Sequence, residues 1–227
     1  MRDVGMTVVG VSRRQPAVPS PIDAPPPLGE SAGAFHFYPV DLTDDTKTMD
    51  MVKRVSETHG PISLLIHAAG LNRNSLLLRS GRDTIEEVLN TNLTSPLLLT
   101  KHALRDGGLM KAKDPACVIF VGSTVGVYGN PGQVGYAASK GALDSICKSL
   151  AKEYSAKTGV RFNVIAPGLI EGPGMGASLR PEDQKQWADA SCIRRLVTTD
   201  EVADGVLFLA SNSGINGHTL VVDGGRQ

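Results

Sequence analysis

The sequence predicts a doubly wound α/β protein built on a parallel sheet. Apolar runs of strand length alternate with longer helical stretches, and the runs are continuously apolar, as strands covered on both faces require. Glycine is also abundant, 25 in 227 residues, which points to many tight loops between elements.

The first strand-like run is Met6 to Val11. The second is Phe35 to Val40, whose Pro39 marks a sheet edge or a strand end. Ile62 to His67, Cys117 to Val121, Val160 to Ile165 and Leu220 to Asp223 complete six. Between them, Asp44 to Thr58 carries Met49, Val52 and Val55 at helical spacing behind Thr43, the expected N-cap. Thr84 to Leu104 is apolar-striped and expected to bend at Pro96. Tyr136 to Lys157 has no glycine or proline after Gly141 and predicts the longest regular helix. Thr198 to Glu201 reads as a capping box that opens Val202 to Ala210. Residues 15–33 break the alternation. Six prolines between Pro16 and Pro27 and no helical period predict an extended surface loop where a crossover helix belongs. No repeat or boundary divides the chain, so residues 1–227 read as a single domain.

Lys plus Arg equals Asp plus Glu at 23 each, which argues against a nucleic-acid or anionic-membrane partner held by bulk charge. No apolar run approaches the roughly 20 residues of a membrane span. Met1 to Gly5 lacks a secretory apolar region. Cys117, Cys147 and Cys192 are scattered and fit neither a disulfide framework nor a metal site. A soluble protein of a reducing intracellular compartment is expected, without a metal.

The chemistry concentrates in Gly122-Ser123-Thr124 after a strand, followed by Tyr136-Ala137-Ala138-Ser139-Lys140 opening a helix. Tyr136 and Lys140 are four apart and share a helix face. A phenol near pKa ~10 is a poor acid at neutral pH, and an adjacent ammonium is expected to bring it into working range. Ser123, on the strand-exit loop, is placed to reach the carbonyl oxygen that Tyr136 would protonate.

This set resembles the catalytic residues of the short-chain dehydrogenase/reductase family. Three further stretches match in chain order. His67-Ala68-Ala69-Gly70 is similar to the family's NNAG turn, with His67 in place of asparagine. Asn92 in Asn90-Thr91-Asn92-Leu93 matches the helix asparagine of its proton relay. Asn163 to Gly168 is similar to the segment that flanks the nicotinamide. The stretches Ala68 to Arg79, Gly129 to Leu143, Ser149 to Glu153 and Gly217 to Gly225 look most like 3-oxoacyl-[acyl-carrier-protein] reductases.

The resemblance implies a Rossmann-like fold and an NADPH-dependent reduction of a ketone to a hydroxyl, in fatty acid synthesis. Tyr136 would donate the proton, Ser123 orient the carbonyl, Lys140 lower the phenol's pKa and bind the ribose, and Asn92 complete the proton path. The cofactor surface would comprise Ala68, Ala69, Gly70, Tyr136, Lys140, Pro167, Gly168 and Ile170. Arg13, with Arg14, would face the 2′-phosphate. Asp41 would contact adenine or cap the following helix. Lys148 and Lys152 would attract an acidic carrier protein or form a solvated face. Leu169 to Trp187 would form a substrate lid, altered at Gly172-Pro173-Gly174, with Trp187 lining the pocket or packing in the core. A homo-oligomer, dimer or tetramer, or a hetero-oligomer with a relative is expected, in the cytoplasm or mitochondrial matrix.

One departure is large. The family's first strand, glycine-rich turn and first helix have no counterpart, since Met6 to Val11 corresponds to its second strand, and Gly29 to Gly33 follows prolines rather than a strand. The sheet is expected to lack a central strand, leaving its neighbours exposed and unpaired. An N-terminally incomplete reductase that binds NADPH poorly follows. A non-catalytic subunit beside an active relative, or an enzyme for another carbonyl or alcohol, are the alternatives.

Overall fold

The computed structural model describes residues 6–13, 35–112, 116–172 and 179–226. The loop 15–33, Arg14 and the Pro173-Gly174 step lie outside them. Six strands are present: β1 (Val8–Ser12), β2 (Phe35–Pro39), β3 (Leu64–His67), β4 (Cys117–Val121), β5 (Arg161–Pro167) and β6 (His218–Val222). All pair in parallel. Each expected run holds a strand, and Pro39 ends β2, a strand with one neighbour.

The strands form two sheets, β1–β2 and β3–β4–β5–β6. In the larger one the alternation of side chains loads both faces. Val118, Phe120, Phe162 and Val164 pack with Ala103, Leu104, Leu143 and Cys147, from helices α3 (Ser95–Arg105) and α5 (Val134–Leu150). Cys117, Ile119 and Ile165 pack with Val202, Val206 and Leu209 of α8 (Thr199–Ser211). Continuous apolar strands are therefore needed, and β4 and β5 supply them.

Between β1 and β3 no ladder forms. A cavity of about 170 Å³ separates them, lined by Val9 and Val11, by Leu64 and Leu65, and by Met51 and Val55 of α1 (Asp45–His59). Helix α1 bridges the break, its Met51, Val52 and Val55 packing with Val9, Val11 and Leu65. Val8 is 39% exposed and Ile66 41%, values foreign to interior strands of a parallel sheet. Among the described residues β1 and β3 are thus edge strands, each with one partner.

Three helix expectations are corrected. The N-cap of α1 is Asp44, not Thr43: its carboxylate accepts from the Lys47 amide at 3.1 Å, while Thr43 donates to Asp41. The stretch bent at Pro96 is α2 (Arg82–Leu89), a π-turn (Asn90–Thr94) and α3. Proline at the second residue of α3 cannot donate, and its ring clashes with the carbonyl four residues back, so the helix widens just before it. The long helix is regular only to Leu150; a π-turn (Ala151–Ser155) and α6 (Ala156–Thr158) follow. The widening brings Tyr154 against Phe162 and the Ser155 hydroxyl to the Val160 carbonyl. The capping box at Thr198 and Glu201 forms in both directions, at 2.8 and 3.2 Å. Among the described residues, no helix is long and apolar enough to cross a membrane.

Candidate active site

Ser123 ends the loop after β4 and caps the short helix α4 (Thr124–Tyr128), its hydroxyl accepting from the Val125 amide at 3.1 Å. Tyr136 and Lys140 lie on the first turns of α5, both buried. All three line one cavity of about 490 Å³.

A pair of glycines makes this meeting possible. A Cβ on Gly126 would lie 2.7 Å from the Gly141 nitrogen, and one on Gly141 would lie 2.9 Å from the Gly126 oxygen. Helices α4 and α5 therefore cross backbone to backbone, which presses the Ser123 loop onto the Tyr136 face. Neither glycine stood out in the sequence as a site residue. A glycine inside an otherwise strong helix, at a cost near 1 kcal/mol, was the available signal.

The electrostatics differ from expectation. Burial pushes the Tyr136 phenol above its ordinary value, and the Ser123 hydroxyl pulls it down. Lys140 does not do the pulling: its Nζ donates to the Val121 carbonyl at 2.7 Å and lies 5.9 Å from the phenol ring centre. Burial holds the lysine at about 8, so its positive charge is itself weakened. His67, buried and stacked on Phe120, falls to about 3 through burial and then the Lys140 charge. It is neutral at physiological pH, with Nε2 2.8 Å from the Thr100 hydroxyl.

Asn92 sits in the π-turn, which swings its carboxamide inward. It binds both backbone groups of Leu71 at 2.7 Å and the Ser139 hydroxyl at 3.0 Å. Ser139, to which the sequence assigns no role, passes the contact on to the Tyr136 carbonyl at 2.8 Å. Asn92 thus clasps the turn after β3 to α5. A Cβ on Gly70 would stand 3.4 Å from Lys140 Nζ and 3.5 Å from Asn92 Oδ1, so glycine keeps open the space both groups border.

Ala68, Gly70, Pro167, Gly168 and Ile170 line the same cavity. Ala69 does not, and neither do Arg13 and Asp41. Arg13 and Asp41 are electrostatic neighbours beyond the ends of β1 and β2; Asp41 accepts from the Thr43 amide and hydroxyl, which hold its carboxyl below the usual range. It is a turn-forming carboxylate rather than the cap of α1. Lys148 is bound to Asp144 at 2.6 Å, and Lys152 is exposed. Among the described residues no cluster of His, Cys, Asp and Glu is poised to hold a metal.

The cavity's walls have two characters. One is apolar, from Leu169, Ile170, Leu179 and Trp187. The other is a chain of amides: Asn130 donates to Gln133, Gln133 to Asn74, and Asn72 to Asn74, at 2.8 to 2.9 Å. The Ser75 amide to Gly132 carbonyl bond, 2.8 Å, ties the same two loops.

Comparison with known proteins identifies the family. A family model described as enoyl-(acyl carrier protein) reductase matches residues 5–227. The chain is 35% identical over 199 residues to a 3-oxoacyl-[acyl-carrier-protein] reductase of Mus musculus, covering 88% of this chain and 80% of the relative. It is 34% identical over 224 residues to carbonyl reductase family member 4 of Danio rerio, covering 98% and 88%. A 3-oxoacyl-[acyl-carrier-protein] reductase of Chlamydia pneumoniae is 36% identical over 195 residues, covering 85% and 77%. With these matches and a serine, tyrosine and lysine gathered on one cavity of a parallel α/β sheet, the chain belongs to the short-chain dehydrogenase/reductase family of oxidoreductases.

Proposed function

We propose that the chain is built to reduce the ketone of a 3-oxoacyl thioester to a hydroxyl, with NADPH as hydride source. The supporting observation is the convergence of Ser123, Tyr136 and Lys140 on a cavity with one apolar wall and one amide rim. An acyl chain suits the first and an amide-bearing thioester arm the second. Similarity to reductases named for 3-oxoacyl carrier-protein substrates supports the same choice.

The residues around the reacting centre fit a nicotinamide and its ribose: Gly70 leaves open the space beside Lys140 Nζ, and Pro167, Gly168 and Ile170 border it. When bound, the cofactor supplies a hydride to the carbonyl carbon and is itself oxidised. Tyr136 gives its phenolic proton to the carbonyl oxygen, completing the alcohol. Ser123 holds that oxygen and lowers the phenol's pKa. Lys140, charged below about pH 8, binds the ribose hydroxyls. Asn92 keeps the Leu71 turn and α5 in register. At the adenosine end Arg13 and Asp41 would serve, with Ala69 beside the turn after β3.

The test has two arms. NADPH is titrated into the purified chain by fluorescence, with weak binding expected and micromolar binding indicating that the surface named here is sufficient. Reduction of a 3-oxoacyl thioester is then compared between the chain and Tyr136→Phe. A loss of about a hundredfold to ten-thousandfold is expected; undiminished turnover sinks the proposal. The break between β1 and β3 favours a second reading, a subunit that becomes active only beside an intact relative. Ketone reduction that appears only on mixing with such a relative would support it.

A further inference from the structure

Helix α7 (Pro181–Ala190) carries Trp187, and none of its residues is fully buried. It needs an anchor. Trp187 packs beside Tyr136, Val88 and Val125, and it lines the cavity. The guanidinium of Arg226 lies over the indole, 3.3 Å from the ring centre. The turn that follows the helix is held by the same C-terminal segment. Ser191 Oγ donates to the Gly224 carbonyl at 3.0 Å, Cys192 Sγ to that of Gly225 at 3.1 Å, and the Ile193 amide to Gly224 at 3.3 Å. Gly224 and Gly225 have φ of 67 and 76°, and a Cβ on Gly224 would collide with Ser191 and Ile193. Only a glycine turn lets this segment pass so close beneath α7.

We propose that Arg226 is a positioning residue that fixes Trp187 as the acyl-facing wall of the cavity, making the Asp223–Arg226 turn a determinant of acyl-chain selectivity. A planar cation on an indole holds the ring's plane as well as its place, which a lysine does not. Arg226 Nε is buried without a hydrogen-bond partner among the described residues, so beside the Asp223 charge it is the indole face that the guanidinium meets. A wall set in this way matters little to a short acyl group at the Ser123–Tyr136 end. It matters more to a chain long enough to lie along the indole. The inference rests on the 3-oxoacyl reading of the site.

Trp187 is the only tryptophan of the chain, so its emission reports this stack alone. The experiment compares the full chain with Arg226→Lys and Arg226→Ala, first by emission maximum and acrylamide quenching. It then measures binding of the acetoacetyl and 3-oxodecanoyl thioesters of N-acetylcysteamine. Both variants are expected to shift the emission and expose the indole. Affinity for the decanoyl ester should fall about five- to tenfold and that for the acetoacetyl ester by less than about twofold, with lysine failing to rescue. Unchanged emission, rescue by lysine, or equal loss for both esters overturns the positioning role. Failure of either ester to bind the unaltered chain overturns the acyl reading beneath it.

Discussion

All seven residues of β5 are buried, whereas none of the five residues of β1 is. Both are parallel strands rich in apolar residues, so composition does not separate them. Neighbours do. β5 lies between β4 and β6 with helices over both faces, while β1 has β2 on one side and a cavity on the other. The half with complete neighbours also carries Ser123, Tyr136 and Lys140, and only such a half can keep a lysine 5% exposed. The half with an open edge carries Arg13 and Asp41, which lie outside that cavity.

The contrast is broken most severely through Arg161. This arginine at the start of β5 is 5% exposed, and its guanidinium donates to the Leu209, Ala210 and Ile215 carbonyls at the end of α8 and just beyond. It satisfies carbonyls that a helix end leaves open and sets a positive charge at the negative pole. Arg161→Leu strands those carbonyls, and a loss of about 3–5 kcal/mol in urea unfolding is expected. A loss below ~1 kcal/mol would mean that α8 is held by Val202, Val206 and Leu209 alone.

His67 closes β3, the strand that faces the break, and stacks on Phe120 of β4. Its pKa is about 3 in the folded chain against an ordinary 6.5, so between those values the unfolded chain binds the extra proton. Stability is therefore whole above about pH 6.5 and declines as pH falls toward 3, by on the order of 4 kcal/mol. His67→Asn removes this decline while forfeiting the stack on Phe120 at neutral pH. Unfolding curves at several pH values read both effects, and an unaltered acid slope in the variant would place the titration elsewhere.

How much of this was legible in the sequence follows the same divide. The six strands could be read because β-branched and apolar runs declare themselves locally. Ser123, Tyr136 and Lys140 could be read because a strand exit and one helix face fix their relation. The capping box at Thr198 is written in four consecutive residues. What could not be read depends on distant partners. The π-turn at Asn90–Thr94 makes sense once Asn92 is seen to hold Leu71 and Ser139, and the one at Ala151–Ser155 once Tyr154 meets Phe162. The glycine crossing at Gly126 and Gly141 needs two helices brought together, and the Arg226 stack needs the chain end folded back on α7. That the Lys140 ammonium meets the Val121 carbonyl was illegible for the same reason, since spacing fixes a shared face and not where the ammonium points.

Lys140 sharpens the comparison from the well-packed side. Its burial costs stability while it is charged: with a folded value of about 8 against 10.5, the unfolded chain holds more protons between these values, and stability rises with pH across that window. Lys140→Met should therefore stabilise the chain by about 1–2 kcal/mol at pH 7, less than the full shift because the Val121 carbonyl loses its donor. Ketone reduction should vanish in the same variant. A destabilised Lys140→Met would mean that the lysine contributes more through Val121 than its desolvation costs.

The smallest effect belongs to the open edge. Val8 is 39% exposed at the start of β1, and among the described residues nothing pairs with that strand on its cavity side. Val8→Thr keeps the β-branch and should change stability by less than ~0.5 kcal/mol. Val164→Ala, a buried site in β5, should cost ~2 kcal/mol by contrast. Native-state hydrogen exchange extends the pair without mutation. The amides of β1 and β2 should exchange through an opening ~2 kcal/mol or more below the one that frees β4 and β5. Should all four strands exchange together, α1 would be shown to weld the two sheets into one cooperative unit through Met51, Val52 and Val55, and the break between β1 and β3 would carry no energetic boundary.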